Sequence, residues 1–429
     1  MPDALHLASA TELAALIRRR EVSCAEVTDA HLTRIARVND TLNAVVQLAP
    51  DARDRARAAD AQMRRDDTGL GPLHGVPFTV KDWIETEGLV CAAGFAERST
   101  YRPPRDAVVV ARMRASGAIL LGKTNVTQGR PVYPRPNNPH DPSRTPGSSS
   151  SGEAAIIAAF GSPVGLASDS GGSIRWPAHC CGVLGLKPTT GLVPLTGHFP
   201  RIGHLSDPRT TIGSIARSAD DLWAVLRVIA GEHPSDPSTV PMPLREPNAD
   251  SLAGVRVALH TSMRGVNVTA ETEQAVVRAA DVLRDRGCTV AEMVPPRMEE
   301  ALPITRAYWA RRRSMSLRDW KPAGEAGLDE QHIERSIFEW ERFSRTMAEL
   351  MGMYDLLLTP PAPRPAPPHD AWDETEYIFT IPYSLTGQPA VVVPVGRSPE
   401  GLPIGVQIVA RKWRDDLVLS AAAVLEEAS

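Results

Sequence analysis

Residues 145–194 are dominated by glycine, serine and proline, and a helix-like run at 154–160 interrupts them. Such composition usually marks a flexible linker. Here Val164, Leu166, Val183 and Leu184 interleave with it, and a linker would strand those apolar side chains in water. The stretch therefore predicts loops and short elements packed inside a domain.

The flanking sequence supplies the elements to pack against. Ser9 with Glu12 and Ser23 with Glu26 are capping boxes. Val27, His31, Ile35 and Val38 follow the second at helical spacing. Residues 51–67 read as a solvated helix, and 107–116 as a helix between short apolar runs at 76–81 and 118–121. Strands are expected at 255–260, 288–294, 354–359, 390–395 and 404–409, and helices at 271–286, closed by Gly287, and at 415–427. Strand-like runs alternating with helices predict a mixed α/β sheet. The prolines at 360–368 read as a stiff surface loop rather than a partner's ligand.

Several function classes drop out. Lys plus Arg is 47 against 51 for Asp plus Glu, a net charge of −4, so nucleic acid is not an expected partner. No run of about 18 apolar residues predicts a membrane span. Five cysteines without disulfide-like spacing, and no leader-like opening at residues 1–8, make a reduced cytoplasmic setting the expectation. No metal-binding or dinucleotide pattern is present, so neither metal nor cofactor is expected. Gly117 to Thr124 matches the P-loop letter for letter, but its loop positions Ala118, Ile119, Leu120 and Leu121 read as a buried strand. His179 follows Ser173 closely, but no G-x-S-x-G elbow exists, so His179 reads as packed or pocket-lining.

Three pieces remain. Gly75 to Asp82 ends an apolar run on Lys81, unusual unless the lysine snorkels or is held inside. Gly147 to Gly152 is a serine cluster. In Ser168 to Arg175, two glycines precede Ser173 and free the backbone to point several N–H groups at one spot, as an oxyanion requires. These residues allow a serine nucleophile with a lysine base. On the residues alone the plainer account, Gly/Ser turns and a surface lysine, is the weightier.

In order and spacing the three pieces resemble the amidase signature family. So do Gly122 to Asn125, Cys181 to Thr189, Thr386 to Ala390 and Gly401 to Gln407, and the resemblance spans nearly the whole chain. It implies an α/β fold with one large mixed β-sheet flanked on both faces by helices, in a single domain, 1–429. A helical segment, 1–66, would pack on a core of 67–429. It implies Ser173 as nucleophile, Ser149 as a bridging serine after a cis peptide bond, and Lys81 as base. The backbone N–H groups of Ser170, Gly171, Gly172 and Ser173 would form the oxyanion hole.

The sequence also departs from the family. Ser148 and Ser151 stand where glycine is usual, residues 126–130 differ from the family's run, and Cys180 replaces a common aromatic. Candidate substrate contacts are Gln128, Ser148, Arg175, His179 and Cys180. The expected partner is a small-molecule amide, with a homodimer allowed. The activities implied are hydrolysis of a small amide or ester, acyl transfer on the same triad, or glutamine hydrolysis within an amidotransferase complex. The intact Lys81, Ser149 and Ser173 disfavour a non-catalytic binding relative.

Overall fold

Both capping boxes form. The computed structural model of the chain describes residues 2–65, 68–126, 132–200, 207–309, 313–315, 320–322 and 330–429. Ser9 and Ser23 accept from the N–H groups of Glu12 and Glu26, whose carboxylates return the bond, and the helices Ala10–Arg18 and Cys24–Leu42 follow. Their apolar stripe, Leu13, Ile17, Val27 and Ile35, is buried in the main core. The Asp221 carboxylate accepts from the N–H groups of Ala10 and Thr11 at 2.9 and 2.8 Å, which fixes this segment to a helix far along the chain.

The strands are β1 Val45–Leu48, β2 Pro77–Lys81, β3 Ile119–Thr124, β4 Val164–Asp169, β5 Leu184–Lys187, β6 Thr211–Ala216, β7 Arg256–Leu259, β8 Thr289–Glu292, β9 Arg313–Met315, β10 Trp320–Pro322, β11 Leu356–Thr359, β12 Ala390–Arg397 and β13 Pro403–Ala410. Eleven form one mixed sheet in the order β1-β3-β2-β4-β6-β5-β12-β13-β11-β7-β8, and β9 pairs with β10 alone. Helices flank the large sheet on both faces. Strands β3, β2 and β4 run parallel, as do β11, β7 and β8. Among the described residues no helix is long and apolar enough to cross a membrane.

The P-loop look-alike is indeed a strand. Every residue of β3 is buried. Lys123 Nζ, where a phosphate-binding lysine would sit, donates to Ile84 O and to Thr86 Oγ1. The Gly/Ser/Pro stretch holds β4, β5 and the helices Ser151–Ala158 and Arg175–Cys181. The last of these was not anticipated, because Gly172, Ser173 and Pro177 mask its short apolar face. All five cysteines are free and buried.

One glycine shows how tightly these elements pack. Glu153, in Ser151–Ala158, lies across β4, and a Cβ on Gly165 would overlap its carboxyl group. Gly165→Ala is expected to cost about 1–3 kcal/mol by overpacking. Gly352→Ala, in open space on a helix, should cost nothing. Thermal melts of both variants check this, and equal melting temperatures would refute the packing argument.

Candidate active site

Strands β2 and β4 are parallel neighbours, so their C-terminal ends meet at one edge of the sheet. Crevices of α/β sheets open at such ends. Lys81 closes β2, and Asp169 closes β4.

Lys81 is wholly buried. Its Nζ donates to Ser149 Oγ at 2.6 Å, to Ser150 Oγ at 3.0 Å and to Ser168 O at 3.2 Å. It also lies 4.5 Å from the centre of the Trp83 ring. Burial pushes its pKa down to about 7, although the charges of Asp169 and Glu153 pull it back up. A neutral amine is thus populated near neutrality, which an exposed lysine does not allow.

Ser149 and Ser150 immediately precede the helix Ser151–Ala158. Gly152 seats that helix: its N–H donates to Asn125 O at 3.1 Å, and a Cβ there would come within 2.5 Å of Ala44 O and Asn125 N. This close approach at the end of β3 sets the two serines over Lys81.

Asp169 organises the loop carrying Ser173. Its carboxylate accepts from Gly172 N at 2.7 Å, from Ile174 N at 3.1 Å, and from Arg175 Nε and Nη2, each at 2.9 Å. Arg175 holds the Asp169 pKa down to about 2, against the upward push of burial. On the other side Thr380 Oγ1 donates to Gly171 O at 2.6 Å. Gly172 has φ +136°, and a Cβ there would overlap Thr380 Oγ1, so only glycine fits. The Gly172 N–H is therefore committed to Asp169. Among the described residues the N–H groups of Ser170, Gly171 and Ser173 have no protein acceptor.

Two features differ from the expected arrangement. The hydroxyl bonded to Ser173 Oγ is that of Ser148, which donates at 3.2 Å, whereas Ser149 is bonded to Lys81. Ser148 also lies beside the Tyr377 hydroxyl, whose pKa burial pushes up and Ser148 draws back down. The peptide bond between Ser148 and Ser149 is trans, not cis: among the described residues only Phe199–Pro200 is cis. Trans is the lower-energy form before a non-proline residue by about 3 kcal/mol, and the Ser148 contacts are made with it.

The other candidate contacts fall as follows. Gln128 lies outside the described residues. Arg175 is fully buried, and besides Asp169 it serves Thr380 O, Gln407 Oε1 and Ser384 Oγ at 2.7–2.8 Å. His179 is fully buried too; its Nδ1 accepts from Gly405 N at 2.9 Å, and its Nε2 lies 3.0 Å from Arg364 O. Both therefore brace the site from inside instead of facing a substrate. Cys180 is buried, with its thiol pushed well above the usual range. Sequence reasoning missed Trp83 and Tyr377. Trp83 could have been found, because it follows Lys81 by two residues. Tyr377 carries no local signal. Among the described residues no group of three or more His, Cys, Asp or Glu is placed to hold a metal.

Comparison with known proteins gives the family and the fold. The family model Amidase matches residues 26–332 and 325–419. A glutamyl-tRNA(Gln) amidotransferase subunit of Salinispora arenicola (strain CNS-205) is 33% identical, over 98% of this chain and 97% of that protein. The native peptide amidase of Stenotrophomonas maltophilia has a similar structure, with a TM-score of 0.84 and 28% identity, over 98% of this chain and 96% of that one. A 6-aminohexanoate cyclic dimer hydrolase, solved with its substrate, gives a TM-score of 0.82 at 27% identity, over 99% of this chain and 97% of that one.

Proposed function

The chain belongs to the amidase family, and on that premise we propose that it hydrolyses the C–N bond of a small-molecule amide through an acyl-enzyme on Ser173. Neutral Lys81 takes a proton from Ser149, which takes one from Ser173 as its Oγ exchanges the Ser148 contact for Ser149. Ser173 Oγ attacks the carbonyl carbon, and the N–H groups of Ser170, Gly171 and Ser173 receive the oxyanion. The proton returns through Ser149 to the leaving nitrogen, and the C–N bond breaks. Water then cleaves the ester and restores Ser173. No cofactor enters this cycle, and the chain acts as one unit, 1–429.

One observation carries this reading: a wholly buried lysine, its pKa near 7, lies 2.6 Å from a serine hydroxyl beneath the Ser173 loop. Lys187 is also wholly buried with a pKa of about 7, but its Nζ donates to the carbonyl of Pro188, so it is the serine hydroxyls that set Lys81 apart. A fluorophosphonate should label the native protein on Ser173, as read by mass spectrometry, and label nothing in Ser173→Ala. An unlabelled native protein would sink the nucleophile assignment.

The likeness to the Salinispora arenicola protein favours a second reading, glutamine hydrolysis with ammonia passed to a partner protein. It uses the same three side chains. Assaying the purified chain alone against glutamine and against simple amides separates the two. Amide turnover without a partner supports the first.

A further inference from the structure

Glu153 is wholly buried, and the cycle proposed above does not use it. Three adjacent strands nevertheless build a seat for its carboxylate. One oxygen accepts from Thr79 Oγ1 on β2, and the other accepts from Thr124 Oγ1 on β3 at 2.7 Å. Gly165 on β4, the register partner of Thr79, leaves the space that the carboxyl group fills. Each oxygen thus has its own hydroxyl donor, which suits an anion.

The seat lies against the base. Thr79 is two residues before Lys81 on β2, so both side chains leave the same face of the strand. Thr124 is the register partner of Lys81 on β3. Glu153 therefore bonds to the two residues that flank Lys81, one along the strand and one across it. It also belongs to the helix that Ser149 and Ser150 lead into, so base, relay and carboxylate are held by one set of contacts.

The other charges around Glu153 are engaged or lie farther off. Lys123 on β3 also draws on it, but its Nζ is held by Ile84 O and Thr86 Oγ1. Asp169, at the end of β4, is paired with Arg175, and His179 is bonded to Gly405 N. Strands β1 and β6, which also pack on this helix, carry no titratable side chain. The helix Cys24–Leu42 brings His31 and Arg34 to the far end, by Gly161 and Ala159. His198 faces Lys81, and burial keeps it neutral with a pKa of about 4. Burial raises the Glu153 pKa to about 7, against the pull of its two threonines and of both lysines.

Resting on the proposed acyl-enzyme reading, we infer that Glu153 is a positioning residue for the reaction, an anion built in behind the base that governs the proton on Lys81. A lysine buried with no counter-charge gives up its proton too readily to draw one from a serine. The Glu153 carboxylate stabilises the ammonium that forms when Lys81 accepts the Ser149 proton, and so keeps it a strong enough base. It touches neither substrate nor reacting atom, and acts through Lys81.

The test follows Lys81 directly. The chain has five lysines, Lys81, Lys123, Lys187, Lys321 and Lys412, so 13Cε-lysine NMR gives few signals, and Lys81→Met identifies one of them. Glu153→Gln keeps the shape: its carbonyl accepts from one threonine and its amide donates to the other. The Lys81 midpoint should then fall by about one to two pH units, the scale for losing a close opposite charge. On a simple amide the acid limb of the rate profile should move down equally, kcat above it should drop about three- to tenfold, and KM should hold. A mere structural brace would lower turnover at every pH and leave the midpoint in place. That result overturns the inference, as does an effect confined to KM. Glu153→Met removes the same charge, should give the same shift, and decides the matter if the glutamine variant does not fold. The NMR titration needs no turnover. A lowered midpoint upholds the hold of Glu153 on Lys81 even if the fluorophosphonate fails to label Ser173, and a fixed midpoint overturns it even if labelling succeeds.

Discussion

Lys81→Met should lower amide turnover about a thousandfold, the usual scale for losing a positioned general base, and should raise stability at neutral pH. The lysine is fully buried, with a pKa of about 7 in the folded protein against 10.5 for an ordinary lysine. Between those two values the unfolded chain holds a proton that the folded protein lacks. The lysine's contribution to stability therefore rises with pH across that window and is at its worst below pH 7. Methionine fills similar space without the burial cost, so a gain on the order of a few kcal/mol is expected near pH 7. The three lost hydrogen bonds of the ammonium offset part of it. Activity follows the neutral amine, so native kcat/KM should climb as pH rises through about 7. Denaturant melts from pH 6 to 10, with pH–rate profiles, check both. A variant within tenfold of native activity, or an acid limb far from pH 7, would remove Lys81 from the role of base.

Asp169→Ala should be the most damaging single change to the fold around Ser173. It leaves the Arg175 guanidinium buried without its carboxylate, a loss of about 3–5 kcal/mol. It also frees the N–H groups of Gly172 and Ile174, so the loop donors lose their aim. Labelling of Ser173 should slow by at least about a hundredfold, within the range for misplaced oxyanion donors. Adding Arg175→Met removes the orphaned charge. Stability should largely return in the double variant, but labelling should not. Recovery of both would mean that Asp169 matters only for the ion pair. With a folded pKa of about 2, Asp169 supplies stability that is complete above 3.8 and fades as pH falls toward 2.

What the sequence disclosed follows the range of the interactions. Ser9 and Ser23 act through bonds three residues long, so their helices could be read directly. Lys81 stood out because a charge at the end of an apolar run must be held or must escape. The rejected P-loop rested on Ile119, Leu120 and Leu121, which belong in a strand core and lie in one. The contacts that set the details span far longer separations. Thr380 reaches Gly171, Gln407 and Ser384 reach Arg175, and no local pattern announces them. Arg175 and His179 looked like substrate contacts because polar residues beside a nucleophile usually are. Strand β13, Thr380 and Ser384 instead take up their hydrogen bonds.

The buried thiols give the protein an indifference to its surroundings. No covalent crosslink ties this fold together, and each of the five sulfurs is shut away from solvent with its proton held on by burial. A thiol that is neither exposed nor ionised neither attacks an electrophile nor exchanges with glutathione. The cysteines therefore make no difference to the fold between reducing and oxidising conditions. Acidity reaches this interior instead, through buried groups brought toward neutrality such as Lys81, Lys187 and Glu153.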